Sequence, residues 1–174
     1  MSEKIRIMLP EEEIDQRVRQ LGEQISQDYA SESVFLVCIL KGASFFACDL
    51  AKRITVPTTI DFMATSSYGS GTVSTGEVKI KKDLDLPVSG RNVIIVEDII
   101  DSGHTLHFLD NLFKDRNAKS IKKCALLDKA DRREVDVTVD YVGFSVPDAF
   151  LVGYGLDYDQ KYRNLPYIAV LDFE

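Results

Sequence analysis

Seven consecutive apolar residues, Val34-Phe35-Leu36-Val37-Cys38-Ile39-Leu40, stop abruptly at Lys41-Gly42. The run is too short for a globular helix, contains β-branched and aromatic members, and leaves no polar position for a wet face. It therefore reads as a strand buried on both sides, which requires a sheet covered by helices above and below. The rest of the chain fits that demand. Pro10 opens a stretch in which Ile14, Val18, Leu21 and Ile25 recur at helical spacing, with three Glu suited to a helix N-terminus. Ser44 is placed to cap a second helix through about Ile54, and residues 58–63 read as the next strand. Residues 92–96 and 121–127 are further buried strands, separated by a helix offering Leu106, Leu109, Leu112 and Phe113 to the core. Residues 141–144, 150–154 and 168–171 are shorter candidates. This alternation predicts an α/β fold, a mostly parallel twisted sheet flanked by helices, with ligands bound outside the carboxyl ends of the strands.

At 174 residues, with no repeat, low-complexity tract or Pro/Gly/Ser linker, the chain reads as one domain. No apolar run approaches the roughly 20 residues needed to cross a bilayer. Residues 1–10 mix acid and base without the apolar stretch of a signal peptide, so a cytoplasmic location is expected. Three cysteines, Cys38, Cys48 and Cys124, have no CxxC spacing and argue against a disulfide framework. The two histidines, His104 and His107, have no cysteine near them in sequence, which gives no support to structural zinc. A formal charge of −7, from 21 Lys+Arg against 28 Asp+Glu, argues against a large nucleic-acid footprint. A small phosphorylated ligand needs only a few local donors and stays open.

The chemistry concentrates in Val93-Ile94-Ile95-Val96-Glu97-Asp98-Ile99-Ile100-Asp101-Ser102-Gly103-His104-Thr105. A buried strand delivers three carboxylates and a small-residue turn to the mouth of the sheet. Glu97 and Asp98 are adjacent acceptors that suit the two hydroxyls of a ribose or a divalent cation. Residues 101–105 lead into a helix start, where backbone N–H groups and the Ser102 and Thr105 hydroxyls can converge on a phosphate. Ribose acceptors beside a phosphate cradle describe a ribose 5-phosphate site. The plainer alternative, that Asp98 and Asp101 cap the helix and Glu97 is solvated, does not explain why two acids directly follow the apolar run.

The same stretch resembles the phosphoribosyl diphosphate signature of the type I phosphoribosyltransferases, and its Glu-Asp-Ile-Ile-Asp-Ser-Gly-x-Thr form resembles the hypoxanthine-guanine branch. The likeness continues through Leu40-Lys41-Gly42, Ser67-Tyr68-Gly69, Asp83-Leu84-Asp85 and Leu126-Leu127-Asp128-Lys129. It extends to Val142-Gly143-Phe144 with Pro147-Asp148, Val152-Gly153-Tyr154-Gly155-Leu156-Asp157-Tyr158, and Tyr162-Arg163-Asn164-Leu165-Pro166-Tyr167. Nearly the whole chain is covered, in the order found in the short bacterial members. The resemblance implies a single domain over 1–174, with a mobile loop at about 64–76 and a small hood built from about 1–12 and 145–174.

The implied reaction is displacement of diphosphate from C1 of phosphoribosyl diphosphate by the nitrogen of a 6-oxopurine, giving IMP or GMP in purine salvage. Its physical problem is charge separation, so Mg2+ and fixed cations must hold the leaving group. By resemblance Glu97 and Asp98 serve the ribose hydroxyls or the metal, and Ser102, Gly103, His104 and Thr105 form the 5′-phosphate loop, with the His104 side chain left without a role. Asp101 is the acid/base at purine N7, and crowding by Glu97 and Asp98 is expected to raise its pKa. Lys41 and Gly42 form the diphosphate turn, with a cis peptide between Leu40 and Lys41 implied. Arg163 also contacts diphosphate, while Ser67 and Tyr68 close over it. Lys129 reads the purine O6 carbonyl and so disfavours adenine. Phe150 stacks on the base, Leu151 offers backbone polar atoms to its edge, and Asp157 is the acid of a second magnesium beside the purine. A homodimer or homotetramer is implied as well.

Several signals point elsewhere and are weaker. Gly71 and Gly76 have the spacing of a phosphate-binding P-loop, but Glu77 stands where its lysine must be. The GxG pairs at 69–71 and 153–155 lack a third glycine. Lys79, Lys81 and Lys82, met by Asp83 and Asp85, read as a solvated edge. A regulatory phosphoribosyl-ligand sensor would want a basic domain or stripe that the chain lacks. A phosphoacceptor domain would want acids after the first strand, where Lys41-Gly42 stands instead. Within the enzyme class, a xanthine- or guanine-preferring relative remains the competitor.

Overall fold

The computed structural model describes residues 1–67 and 77–174. In chain order the elements are β1 (Glu3–Leu9), α1 (Glu11–Asp28), β2 (Val34–Leu40), α2 (Ser44–Ala51), β3 (Thr58–Ser67), β4 (Val78–Lys82) and β5 (Asn92–Ile100). They continue with α3 (His104–Asp115), β6 (Ser120–Asp128), β7 (Tyr141–Ser145), β8 (Leu151–Val152) and β9 (Ile168–Phe173). Six strands form the main sheet in the order β4-β3-β2-β5-β6-β7. All its neighbours are parallel except β3 and β4, which pair antiparallel at the edge.

Helices cover both faces, as the apolar runs require. Leu36, Cys38, Ile94, Val96 and Leu126 pack against α1 and α2. Val37, Ile39, Ile95 and Ala125 pack against Leu106, Leu109 and Phe113 of α3, with Leu112 partly buried beside them. The α1 stripe of Ile14, Val18, Leu21 and Ile25 is buried as its spacing predicts, with Pro10 as N-cap. A second sheet, β1-β9-β8, is antiparallel and draws its strands from both ends of the chain.

Element ends depart from expectation in informative ways. The strand expected at 58–63 runs to Ser67, because Ala64–Ser67 completes an antiparallel ladder with β4. Its Ser and Thr side chains sit on an arm beyond the core, where backbone pairing needs no apolar residue. The first four residues of the loop expected at 64–76 are therefore strand; Tyr68 and the rest of 68–76 lie outside the described residues. The strand expected at 92–96 runs on to Ile100, so Glu97 and Asp98 are strand residues. The helix expected to end near Ile54 stops at Ala51. Its N-cap is Ala43, and Ser44 Oγ instead donates to the Lys41 carbonyl at 2.6 Å. The strand expected at 150–154 shrinks to Leu151–Val152, since Gly153, Tyr154 and Gly155 all have positive φ (97°, 48° and 99°) and break the ladder. Strands β1 and β4 carry no apolar alternation strong enough to announce them. In β4, Lys79, Lys81 and Lys82 are exposed on the sheet edge, which protects an open ladder against further pairing.

Candidate active site

The carboxyl ends of β2, β5 and β6 meet at one rim of the main sheet, and the turn between β8 and β9 reaches over the first two. At the end of β2 the Leu40–Lys41 peptide is cis. Gly42 follows at a point of close approach: a Cβ there would collide with the Asp98 Oδ2 atom, and a Cβ on Gly155 would collide with the Gly42 carbonyl. Only glycine lets the β2 turn, the β5 carboxylate and the β8–β9 turn stack this tightly, and Gly155 is held at φ 99° where glycine is favoured.

At the end of β5, Glu97 is 8% exposed and Asp98 is half-buried. Among the described residues neither has a cation within ion-pair distance. Burial, then the adjoining Asp98 carboxyl, push the Glu97 pKa well above the ordinary carboxylate range. Burial raises Asp98 too, partly opposed by the Ile99 N–H it accepts at 2.7 Å and by the charge of Arg163. Asp101 lies past the strand end with its side chain half exposed.

A cleft of about 230 Å³ is lined by Ser67, Glu97, Asp101, Ser102, Gly103 and Thr105, with Ile99, Ile100 and Leu106. Two of the expected acids, Glu97 and Asp101, therefore share one cavity with Ser102, Gly103 and Thr105 of the expected phosphate loop, while Asp98 faces Gly42 and His104 is not in its lining. Helix α3 starts at His104, and its N-cap Gly103, at φ 90°, makes no side-chain cap bond. The first N–H groups of the helix are thus left without a capping side chain, the condition in which an anion is bound. The capping roles considered for Asp98 and Asp101 are not taken up.

Beyond β6, Lys129 is 9% exposed, and its Nζ lies 3.9 Å from Asp101 Oδ1 and 4.0 Å from Asp148 Oδ1. Its N–H donates to the Ile100 carbonyl at 3.0 Å, which ties the end of β6 to the end of β5. In the β8–β9 turn, the Arg163 guanidinium donates to the Gly155 carbonyl at 2.6 Å and to Gln160 Oε1 at 3.1 Å, and pairs with Asp157 Oδ1 at 3.2 Å. The Gln160 N–H also donates to Asp157 Oδ2 at 2.9 Å, and Lys41 Nζ reaches Gln160 Oε1 at 3.4 Å. Phe150 is 47% exposed and meets Tyr158 edge-on at 5.7 Å, while the Leu151 side chain is buried in β8.

The structure thus gathers Lys41, Gly42, Asp98 and Arg163 in one place, and Asp101 with Lys129 in another, along the same rim. Among the described residues no three His, Cys, Asp or Glu side chains stand close enough to share one ion, so Glu97, Asp98 and Asp157 do not form a common metal cage. Asp148, Gln160, Arg133 and Glu134 were not singled out by sequence reasoning. The first two are isolated polar residues in loops, and the last two belong to a charged run whose ordinary reading is a solvated surface.

The chain matches the phosphoribosyl transferase domain family over residues 8–159. It is 54% identical over 166 residues to the hypoxanthine-guanine phosphoribosyltransferase of Bacillus subtilis, covering 95% of this chain and 92% of that one. It is 50% identical over 171 residues to the hypoxanthine phosphoribosyltransferase of Salmonella typhimurium, covering 97% and 96%. The fold is similar to a crystal structure of a hypoxanthine-guanine phosphoribosyltransferase from Bacillus anthracis, with a TM-score of 0.93 and 46% identity over 99% of this chain and 100% of that one.

Proposed function

The chain belongs to the phosphoribosyltransferase family, and from that we infer that it transfers the 5-phosphoribosyl group of phosphoribosyl diphosphate to hypoxanthine, with guanine as a second acceptor. The observation that carries this reading is the single cleft lined by Glu97, Asp101, Ser102, Gly103 and Thr105. Such a cleft offers carboxylate acceptors for ribose hydroxyls and helix N–H groups for a phosphate within one cavity.

The purine nitrogen forms a bond to C1 as the C1–O bond to diphosphate breaks, and Asp101 exchanges the proton at N7. Lys129 donates to O6 from beside Asp101, so a 6-amino group there faces a donor and is rejected. Lys41, Gly42 and Arg163 hold the departing diphosphate, Ser67 and Tyr68 cover it, and Phe150 and Leu151 border the base. Glu97 and the half-buried Asp98 form a carboxylate pair with no cation at ion-pair distance among the described residues, a donor set that fits Mg2+ or the ribose hydroxyls. Asp157, already oriented by Arg163 and Gln160, suits a second ion. When bound, magnesium neutralises charge building on diphosphate. The three cysteines are free thiols, which suits a reducing cytoplasm, and the homodimer or homotetramer rests on the family resemblance.

The test is diphosphate release from phosphoribosyl diphosphate with magnesium, offering hypoxanthine, guanine, xanthine and adenine singly. Release with hypoxanthine and guanine but little with adenine is the expected result. Preference for xanthine reassigns the base, and binding without release under any base overturns the enzymatic reading.

A further inference from the structure

The segment after Lys129 lies as a strap along the turn that leads into α3. Arg133 Nε donates to the Asp101 carbonyl at 3.2 Å. The N–H groups of Glu134 and Val135 both donate to the Ser102 carbonyl, at 2.9 and 3.2 Å. A Cβ on Gly103 would stand 3.0 Å from both Arg133 Cδ and Val137 Cγ2. The Glu134 carboxylate, finally, meets His104 Nε2 at 2.7 Å. Each residue from Asp101 to His104 is therefore touched by the strap, and His104 is the one held by side chain to side chain.

This contact stands where internal support is otherwise thin. With no side-chain cap on α3, the His104 N–H has only a long 3.4 Å approach to Ser102 Oγ. The imidazole is attached to the first residue of the helix, so its orientation and that of the first-turn N–H groups are linked.

We propose that Glu134 is a positioning residue for the phosphate loop, acting through His104: it fixes the first turn of α3 in the anion-receiving geometry. The inference rests on the reading that Ser102–Thr105 takes the 5′-phosphate. The side chains are 25% and 61% exposed, so the effect is small, about threefold to fivefold in apparent affinity.

The experiment measures kcat, KM for phosphoribosyl diphosphate, KM for hypoxanthine and Tm on the full chain. Glu134→Ala raises KM for phosphoribosyl diphosphate about threefold to fivefold, with kcat and KM for hypoxanthine held. Glu134→Gln restores it, because the carboxamide oxygen accepts the same imidazole N–H. In a His104→Ala background Glu134→Ala adds nothing further. A Glu134→Ala enzyme with all constants unchanged overturns the proposal, as does one in which both KM values rise while kcat and Tm fall. Thr105→Val separates the two levels. If it raises KM for phosphoribosyl diphosphate and Glu134→Ala does not, only the positioning role fails; if Thr105→Val has no effect, the phosphate-loop reading fails with it.

Discussion

Lys129 Nζ stands 3.9 Å from Asp101 Oδ1, too far for a direct hydrogen bond and close enough for strong electrostatic contact in a nearly buried place. Asp148 lies at 4.0 Å on the same ammonium and is itself bonded by Arg132 at 3.0 Å. The ammonium lies between two carboxylates, with neither of them at hydrogen-bond distance, so among the described residues its N–H donors face an O6 reader's task unspent. The proposed acid/base and the proposed base reader are thus one electrostatic unit.

Lys129→Met keeps the length of the side chain and removes the charge. Losing a hydrogen bond from a charged donor costs about 1.5–3 kcal/mol, so kcat/KM for hypoxanthine falls about 10- to 150-fold. Activity with adenine does not fall with it, because the mispaired donor is gone. Steady-state kinetics with the two bases check this; an unchanged ratio removes Lys129 as the reader of O6.

The Glu97–Asp98 pair makes a pH prediction with a definite sign. In the unfolded chain both carboxyls titrate near about 4, whereas in the fold burial raises both and the adjoining Asp98 carboxyl raises Glu97 further. Above that value the native state retains protons that the unfolded state has released, so this pair lowers stability as pH rises. Glu97→Gln removes one charge from the pair. Its Tm exceeds that of the wild type at pH 7 to 8, and the gap closes toward pH 4. Activity at pH 7.5 falls about tenfold or more with the lost charged acceptor. Magnesium at a hundredfold over its Kd adds about 2.7 kcal/mol to the wild type and less to the variant. Equal Tm across the pH range would show that the pair is relieved in some other way.

Gly42→Ala tests the stacking of the β2 turn on Asp98. The new methyl collides with Asp98 Oδ2, whose partner oxygen is already held by the Ile99 N–H. Either the carboxylate turns away or the 41–42 turn lifts, and both disturb the diphosphate and ribose positions together. Overpacking in a turn costs about 1–3 kcal/mol of stability, so the protein still folds. Activity falls by about two orders of magnitude, as expected for a displacement of about 1 Å in a positioning group. A folded variant with near-normal kcat/KM would separate this close approach from function.

What could be read in the sequence follows the physics of each element. The buried strands are legible because Val34–Leu40 has no polar position at all and Val93–Val96 and Cys124–Leu127 are likewise unbroken apolar runs, and α1 because its stripe has one period throughout. Strand ends were not, because Ala64–Ser67 and Glu97–Asp98 are held by backbone ladders that place no demand on side-chain polarity. β1 escaped notice since Ile5 and Ile7 alternate with Lys and Arg on a strand largely exposed on both faces. In the site, the dense signature at 97–105 was visible as a local pattern. Asp148, Glu134 and Gln160 act on groups 19, 30 and 119 residues away in sequence, on Lys129, His104 and Lys41, and nothing local marks a polar loop residue for such a contact.

Arg163 offers the sharpest separation between charge and geometry. Its guanidinium serves the Gly155 carbonyl, Gln160 Oε1 and Asp157 at once, and its buried Nε has no hydrogen-bond partner among the described residues. A planar fork can face several acceptors in fixed directions, whereas an ammonium is a single point of charge on a flexible stem. Arg163→Lys preserves the charge beside Asp98 and loses the fork. KM for phosphoribosyl diphosphate and the inhibition constant of diphosphate should each rise about 10- to 100-fold, equivalent to one or two charged hydrogen bonds. KM for hypoxanthine should move little, because Asp157 keeps its second tether to the Gln160 N–H. Equal losses in both substrates would mean that the guanidinium holds the whole β8–β9 turn in place; no loss in either would mean that charge alone suffices at this position.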